Sequence, residues 1–209
     1  MPTQIYHITH IDNLPLILET GALLANSRLQ QRQVNFRDIS YRNIQDRRAR
    51  KQVPCGNGGY LHEYVPFYFA PRSPMLYTIN RGNVPGCPEG QTRIVHLVTT
   101  AEAIAADTAN FVFTDGHAVI DYSEFYEDLA QLGEAIDWRV MRSTYWNDTD
   151  EYPDRKRRRQ AEFLVYFAVL WQLITEIGVL NDGIKAEVQE ILRKFNKSTP
   201  VNAYPNWYY

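Results

Sequence analysis

Cysteine is nearly absent: Cys55 and Cys87 are the two in a chain of 209 residues. Both lie in Gly/Pro-rich surroundings, so the sequence offers neither a disulfide framework nor metal-ligand spacing, and a reducing cytoplasm is the expected compartment. Long hydrophobic runs are missing too. The longest, Phe163 to Leu170, falls far short of the roughly 20 residues that cross a bilayer as a helix, so no membrane association is expected. The first residues, Met1-Pro2-Thr3-Gln4-Ile5-Tyr6, lack a charged region followed by an apolar one, and no signal peptide is expected. No repeat, low-complexity tract or linker divides the chain. One domain over residues 1–209 is the expectation, with 44% hydrophobic residues to build its core.

Several site chemistries are absent as well. Gly56-Asn57-Gly58-Gly59 has neither the spacing of a dinucleotide fingerprint nor the Lys-Ser/Thr pair of a phosphate-binding loop. His7 and His10 have no Cys/His cluster nearby, so no metal is expected. No serine sits in a nucleophile-elbow context.

What is present is segregated charge. The net charge of −2 conceals a segment, residues 28–51, in which eight cations face only Asp38 and Asp46. A second run, Arg155 to Arg159, adds five consecutive cations, so the remainder of the chain is strongly acidic. Such segregation suggests a polyanion-binding face, although solvated charge runs are also common. Arginine dominates both segments, and its planar fork pairs with phosphate and stacks on bases. The second run leads through Gln160 and Ala161 to Glu162 at the mouth of an apolar segment, a boundary where carboxylates acquire unusual pKa values.

The pattern of elements reads as α+β: a mixed β core with flanking helices and two long functional loops. Ile5 to His10 alternates like a first strand, and Asp12 is a plausible cap for a helix from Leu14 to Glu19 ending at Gly21. Residues 25–50 read as a partly helical excursion over one face. Tyr64 to Ala70 reads as a strand that Pro66 places at an edge or near its start. Pro74 to Ile79 suits a short helix, Thr92 to Val98 a strand, Ala101 to Ala106 a helical turn and Asn110 to Thr114 a strand. Residues 121–154 read as polar and irregular. Glu162 to Phe167 fits a strand, though periodicity leaves a helix open. Ile174 to Leu180 is a further strand, and Ile184, Val188, Ile191, Leu192 and Phe195 share one face of a terminal helix.

The residues left to carry chemistry are His7, Tyr68 and Glu162. Each has an ordinary reading: a satisfied strand histidine, a core tyrosine, a carboxylate neutralising a nearby arginine. In their order, however, Tyr6-His7-Ile8-Thr9-His10-Ile11-Asp12-Asn13-Leu14, Tyr64-Val65-Pro66-Phe67-Tyr68-Phe69 followed by Ser73-Pro74-Met75, Phe111-Val112-Phe113-Thr114-Asp115-Gly116-His117-Ala118, and Arg159-Gln160-Ala161-Glu162 resemble the DarT family of DNA-directed ADP-ribosyltransferase toxins, in the His-Tyr-Glu variant of the ADP-ribosyltransferase fold. The four matches span nearly the whole chain.

That resemblance implies transfer of ADP-ribose from NAD, the co-substrate, onto a base of single-stranded DNA, with thymine the expected base. It implies His7, Ile8, Thr9 and Leu24 at NAD, Tyr68 and Tyr77 against nicotinamide, and Glu162 as the catalytic carboxylate. Arg48, chosen over Arg47 and Arg50 because Arg48-Ala49 precedes Val53-Pro54-Cys55-Gly56, would address both NAD and the acceptor base. His117, Tyr145, Trp146, Arg155, Arg157 and Arg158 would contact DNA, with Tyr41 and Tyr152 among the aromatics interleaved in the basic loops. A macrodomain antitoxin is the implied partner. Two rivals stay open: a related NAD-dependent transferase acting on RNA or protein, and a catalytically silent nucleic-acid-binding module.

Overall fold

The structure, a computed structural model, describes residues 2–209. Met1, at the head of the N-terminal reading, and the side chain of Arg42, in the first basic segment, lie outside the described residues. The strands are β1 (Gln4–His10), β2 (Ala22–Leu24), β3 (Tyr64–Tyr68), β4 (Ile94–Thr100), β5 (Phe111–His117), β6 (Phe125–Tyr126), β7 (Ala161–Tyr166), β8 (Ala168–Leu170), β9 (Glu176–Val179) and β10 (Val201–Ala203). The helices are α1 (Leu14–Thr20), α2 (Asn26–Gln31), α3 (Arg42–Arg50), α4 (Pro74–Asn80), α5 (Ala101–Asp107), α6 (Leu132–Ala135), α7 (Trp138–Arg142), α8 (Arg155–Arg158) and α9 (Asp182–Lys194). The expected α+β class holds, and the segment after Arg159 is a strand.

The main sheet runs β10-β9-β4-β1-β3-β7-β5-β6, and β2 pairs with β8 apart from it. Within the main sheet only β9 and β10 run parallel. The sheet parts in its middle. Strand β1 pairs with β4 from Gln4↔Thr100 to His10↔Ile94 but with β3 only at Tyr6↔Tyr68. Pro66 is the local cause. In an extended strand a residue's N and C=O point to the same side, and the Pro66 carbonyl faces β1, where it accepts from His7 Nδ1 at 2.8 Å. On that side the proline ring leaves no N–H to join a ladder. Of the two positions expected for Pro66, at an edge or near the strand's start, the edge is corrected: β3 is interior, and Pro66, its third residue, sits where the sheet opens.

Alternation along β3, β5 and β7 sends Phe67, Phe113 and Phe163 into the core with no exposed surface. Phe111 stacks on Phe163 at 5.0 Å. The neighbouring residues Tyr68, Thr114 and Glu162 consequently face the other way, and Tyr68 and Glu162 lie opposite each other in register. Strand β5 slips register between Phe113 and His117. At this bulge Thr114 Oγ1 accepts the Glu162 backbone N–H at 3.1 Å, in place of a ladder carbonyl.

Asp12 does not cap α1. His10 Nδ1 accepts from the Asp12 N–H at 3.1 Å in a tight turn before the helix. The Asp12 carboxylate instead binds Arg37 at 2.8 Å and Arg93 at 3.1 Å. The helix ends at Gly21 in the left-handed conformation, φ 68°. The excursion over 25–50 contains α2 and α3, and Asn13 tethers it: its side chain accepts from Arg37 N at 2.7 Å and donates to Arg37 O at 2.9 Å and Thr9 Oγ1 at 3.0 Å. Residues 121–154 are less irregular than expected, since β6, α6 and α7 lie there and bury Leu132, Ile136, Val140 and Met141.

The second basic run is also corrected. Arg157 donates to Asp115 and Asp154 at 2.8–3.0 Å, and Arg158 pairs with Asp137 and Asp154. Arg155 binds Ser143 Oγ at 2.9 Å and the Tyr145 carbonyl. Arg159 is buried and donates to the carbonyls of Val140, Met141 and Ser143 at 2.7–2.9 Å and of Arg72 at 3.0 Å. These arginines fasten the 137–154 segment onto β5 and the approach to α4; they do not form an open face of cations. Arg159→Met should therefore cost about 3 kcal/mol or more by stranding several buried carbonyls. Arg158→Gln, half-exposed, should cost less than about 1 kcal/mol. Urea denaturation of the two variants checks this; equal stability of Arg159→Met and the parent would contradict it.

Candidate active site

Where β1 and β3 part, a cavity of about 580 Å³ opens under α2 and α3. His7, Ile8, Thr9, Leu24, Arg48, Tyr68, Tyr77 and Glu162 all line it, as do His117 and Trp146. Tyr145, Arg155, Arg157 and Arg158 do not, whereas Lys156 and Gln160 do.

Glu162 is the hub. It is 2% exposed, with Oε2 2.6 Å from Arg48 Nη1 and Oε1 3.2 Å from the Ala118 N–H and 3.3 Å from His117 Nδ1. Burial pushes its pKa up, but the Arg48 guanidinium and the His117 ring outweigh burial and hold the carboxyl down to about 2. Glu162 is thus an anion at neutral pH and too weak a base to take a proton readily. Arg48 is itself buried, and its Nη2 has no hydrogen-bond partner among the described residues. Glu162 orients the guanidinium by one nitrogen and leaves the other free to donate. Arg47 reaches the Val119 carbonyl at 3.2 Å and Arg50 is exposed, so of the three arginines weighed in this segment it is Arg48 that meets the carboxylate.

Across the cavity, burial lowers the His7 pKa to about 4, against the upward effect of its bond to Pro66. The ring is neutral at pH 7. Because a carbonyl can only accept, the proton resides on Nδ1 and Nε2 keeps its lone pair. Thr9 Oγ1 accepts from Asn13, which leaves its own hydroxyl proton to donate. One strand therefore offers an acceptor and a donor two residues apart, a pairing suited to a sugar diol. Burial and the neighbouring Glu162 raise the Tyr68 pKa, so its phenol stays protonated.

Tyr77, on α4, is 40% exposed and meets Trp146 edge-on at 5.8 Å and Tyr209 at 5.1 Å. Trp146 Nε1 donates to Tyr209 Oη at 2.7 Å. Trp146, expected at DNA, is buried in the cavity wall, while its neighbour Tyr145, also expected there, is 78% exposed. Arg155, Arg157 and Arg158, expected at DNA, spend their guanidiniums within the fold as described above. His117, expected at DNA, is the last residue of β5 and lies against Glu162 at 3.3 Å. Sequence reasoning missed Asn13, Thr114, Ala118 and Tyr209. Asn13 and Thr114 lie inside the motifs that carried the resemblance; the backbone role of Ala118 and the return of Tyr209 leave no local signal. Among the described residues no cluster of His, Cys, Asp or Glu could hold a metal ion.

Residues 6–209 match the family described as "ssDNA thymidine ADP-ribosyltransferase, DarT". The chain is 45% identical over 210 residues to a DNA ADP-ribosyl transferase of Thermus sp. (strain 2.9), covering 100% of this chain and 97% of that protein. It superposes on Thermus sp. 2.9 DarT in complex with ADP-ribosylated ssDNA with a TM-score of 0.92, over 100% of this chain and 97% of that one. For the NAD+ complex of Thermus sp. 2.9 DarT the TM-score is 0.88 at 43% identity, over 100% and 98% of the two chains. A more distant relative, 26% identical over 99% of this chain and 49% of its own length, is a DNA ADP-ribosyl transferase-DNA ADP-ribosyl glycohydrolase fusion protein of Thermosipho africanus.

The coupling of Arg48 to Glu162 predicts a pKa. Above the ordinary value of 4.5 the buried pair contributes its full stability, which is lost as pH falls toward about 2. Arg48→Met removes the main opposing charge and leaves burial dominant, so the Glu162 carboxyl should titrate above 4.5. A carboxyl-carbon NMR titration reads it directly; a value still near 2 would show that Arg48 is not what keeps Glu162 ionised.

Proposed function

The chain belongs to the DarT family of single-stranded-DNA thymidine ADP-ribosyltransferases, and on that premise we infer that it cleaves NAD at the nicotinamide–ribose bond and transfers ADP-ribose to thymine in single-stranded DNA. The observation that carries this reading is a buried, ionised carboxylate paired with a guanidinium that retains a spare donor, in one cavity with His7 and Thr9.

In this reading His7 Nε2 and the Thr9 hydroxyl hold the adenosine-side ribose, with Ile8 and Leu24 packing beside it and Tyr68 and Tyr77 flanking nicotinamide. Asn13 keeps the Thr9 proton available. As the ribose C1′–N bond breaks, its electron pair leaves with nicotinamide and positive charge develops on the sugar. Glu162 stabilises that charge without taking a proton, which suits a carboxyl held near 2. The new bond joins C1′ to a thymine ring nitrogen, whose proton is lost to solvent. Arg48, oriented by Glu162, offers its second nitrogen to the carbonyl oxygen that gains negative charge as that proton leaves. Single strands present the base unstacked at low cost. His117 and Tyr145 border the acceptor side, and Lys156 supplies positive charge at the cavity that the neighbouring arginines do not.

Residues 1–209 are read as one catalytic domain. Two free cysteines support a cytoplasmic setting, and among the described residues no helix is long and apolar enough to cross a membrane. A macrodomain antitoxin that removes the modification fits as partner; the Thermosipho relative carries a glycohydrolase in the same chain.

Labelled NAD offered to single-stranded DNA, duplex DNA, RNA and protein tests the assignment. Label should enter single-stranded DNA at thymine. Entry into RNA or protein alone would favour a related transferase, and no turnover would favour a silent binding module. Glu162→Gln should keep most NAD affinity while transfer falls on the order of 10²-fold or more; near-normal transfer would remove Glu162 from the mechanism.

A further inference from the structure

Tyr122 is an exposed ring that the reaction described above does not use. It is 69% exposed, yet it belongs to a tightly built turn. Directly after β5, Ile120 N donates to His117 O at 2.9 Å, Ser123 N to Ile120 O at 3.1 Å and Ser123 Oγ to His117 O at 2.8 Å. The turn is pinned by buried Val119 and begins at Ala118, whose N–H binds Glu162 at 3.2 Å. Tyr122 is therefore fixed relative to the catalytic carboxylate.

One face of the ring is occupied. The Arg157 guanidinium lies 5.1 Å from its centroid, itself fixed by Asp115, Asp154 and Ser123 Oγ. Arg157 reaches this position because residue 116 is glycine: a Cβ there would stand 2.2 Å from Arg157 Nη1. The same turn is held from α3: Arg47 donates one nitrogen to Val119 O at 3.2 Å and is otherwise exposed, while Lys51 neutralises Asp121 at 2.9 Å. An exposed aromatic ring on a hydrogen-bonded turn, with a planar cation over one face and a second guanidinium bound to the same turn, has the composition of a single-strand stacking platform.

We propose that Tyr122 stacks the base adjacent to the target thymine, with Arg47 at the neighbouring phosphate. This rests on single-stranded DNA being the acceptor. The turn follows His117, which lines the cavity, and starts at Ala118, which binds Glu162, so with the target base at Glu162 and Arg48 it is the element on which the next nucleotide would rest. Because every base has a π-face, the contact strengthens binding with little dependence on which base flanks the target.

The test uses the full chain, NAD and an oligonucleotide with one thymine, with abasic nucleotides placed singly on each side of it. Tyr122→Ala should raise the KM for the oligonucleotide about tenfold while kcat falls less, and Tyr122→Trp should restore it. One of the two abasic substitutions should raise KM equally in the parent and add nothing in Tyr122→Ala. An unchanged KM in Tyr122→Ala, no rescue by Tyr122→Trp, or independent effects of variant and abasic site would overturn the proposal. If the parent modifies none of the oligonucleotides, the acceptor reading itself fails and the stacking site with it.

Discussion

Two side chains 114 positions apart in sequence, Arg48 and Glu162, meet at 2.6 Å in a region with almost no exposed surface. Neither could be charged there alone, since removing one member of such a pair typically costs about 3–5 kcal/mol. Much of the architecture serves to bring them together. The bulge in β5 supplies Thr114 to the Glu162 backbone, and the turn after it supplies Ala118 to the carboxylate. The excursion over 25–50, tied down by Asn13 at Arg37, delivers α3 across the mouth of the cleft. Asn13 also touches Thr9, so the segment bearing Arg48 and the residues facing the sugar share one anchor.

The second constraint is the opening between β1 and β3. A sheet with a continuous ladder there would have no room for a ligand among its central strands. Pro66 removes the donor, and His7 spends one ring nitrogen on the carbonyl left over. The same bond fixes the tautomer that leaves Nε2 as an acceptor. One local feature thus makes the cleft and prepares a side chain within it.

Much of this was legible in the sequence, unevenly. Alternation marked β1, β-branched and aromatic content marked the segment that becomes β7, and the motifs carrying the family resemblance named His7, Thr9, Tyr68 and Glu162, which the fold does bring to one cavity. Arg48 followed from the resemblance, through the Arg48-Ala49 pair that precedes Val53-Pro54-Cys55-Gly56. What failed was anything set by distant partners. Arg157 and Arg158 read as open cations because the carboxylates that bind them include Asp115 and Asp137, 42 and 21 residues away. The burial of Trp146 left no mark among its polar neighbours, because Tyr209, 63 residues on, is what accepts its indole N–H. Pro66 left an edge position open beside one near the strand's start, because an interior strand that parts from its neighbour looks, locally, like an edge. Tyr122 drew no notice in sequence, since only the folded turn shows that it is both exposed and fixed.

Arg48 and Glu162 act as one unit, the carboxylate orienting the guanidinium and the guanidinium keeping the carboxylate ionised. A double-mutant cycle on single-turnover transfer rates, using Arg48→Lys, Glu162→Gln and the double variant, measures that coupling directly. Strong non-additivity, with the double variant little slower than the worse single one, is the predicted result. Rate losses that simply multiply would mean that the two residues act independently and would contradict it.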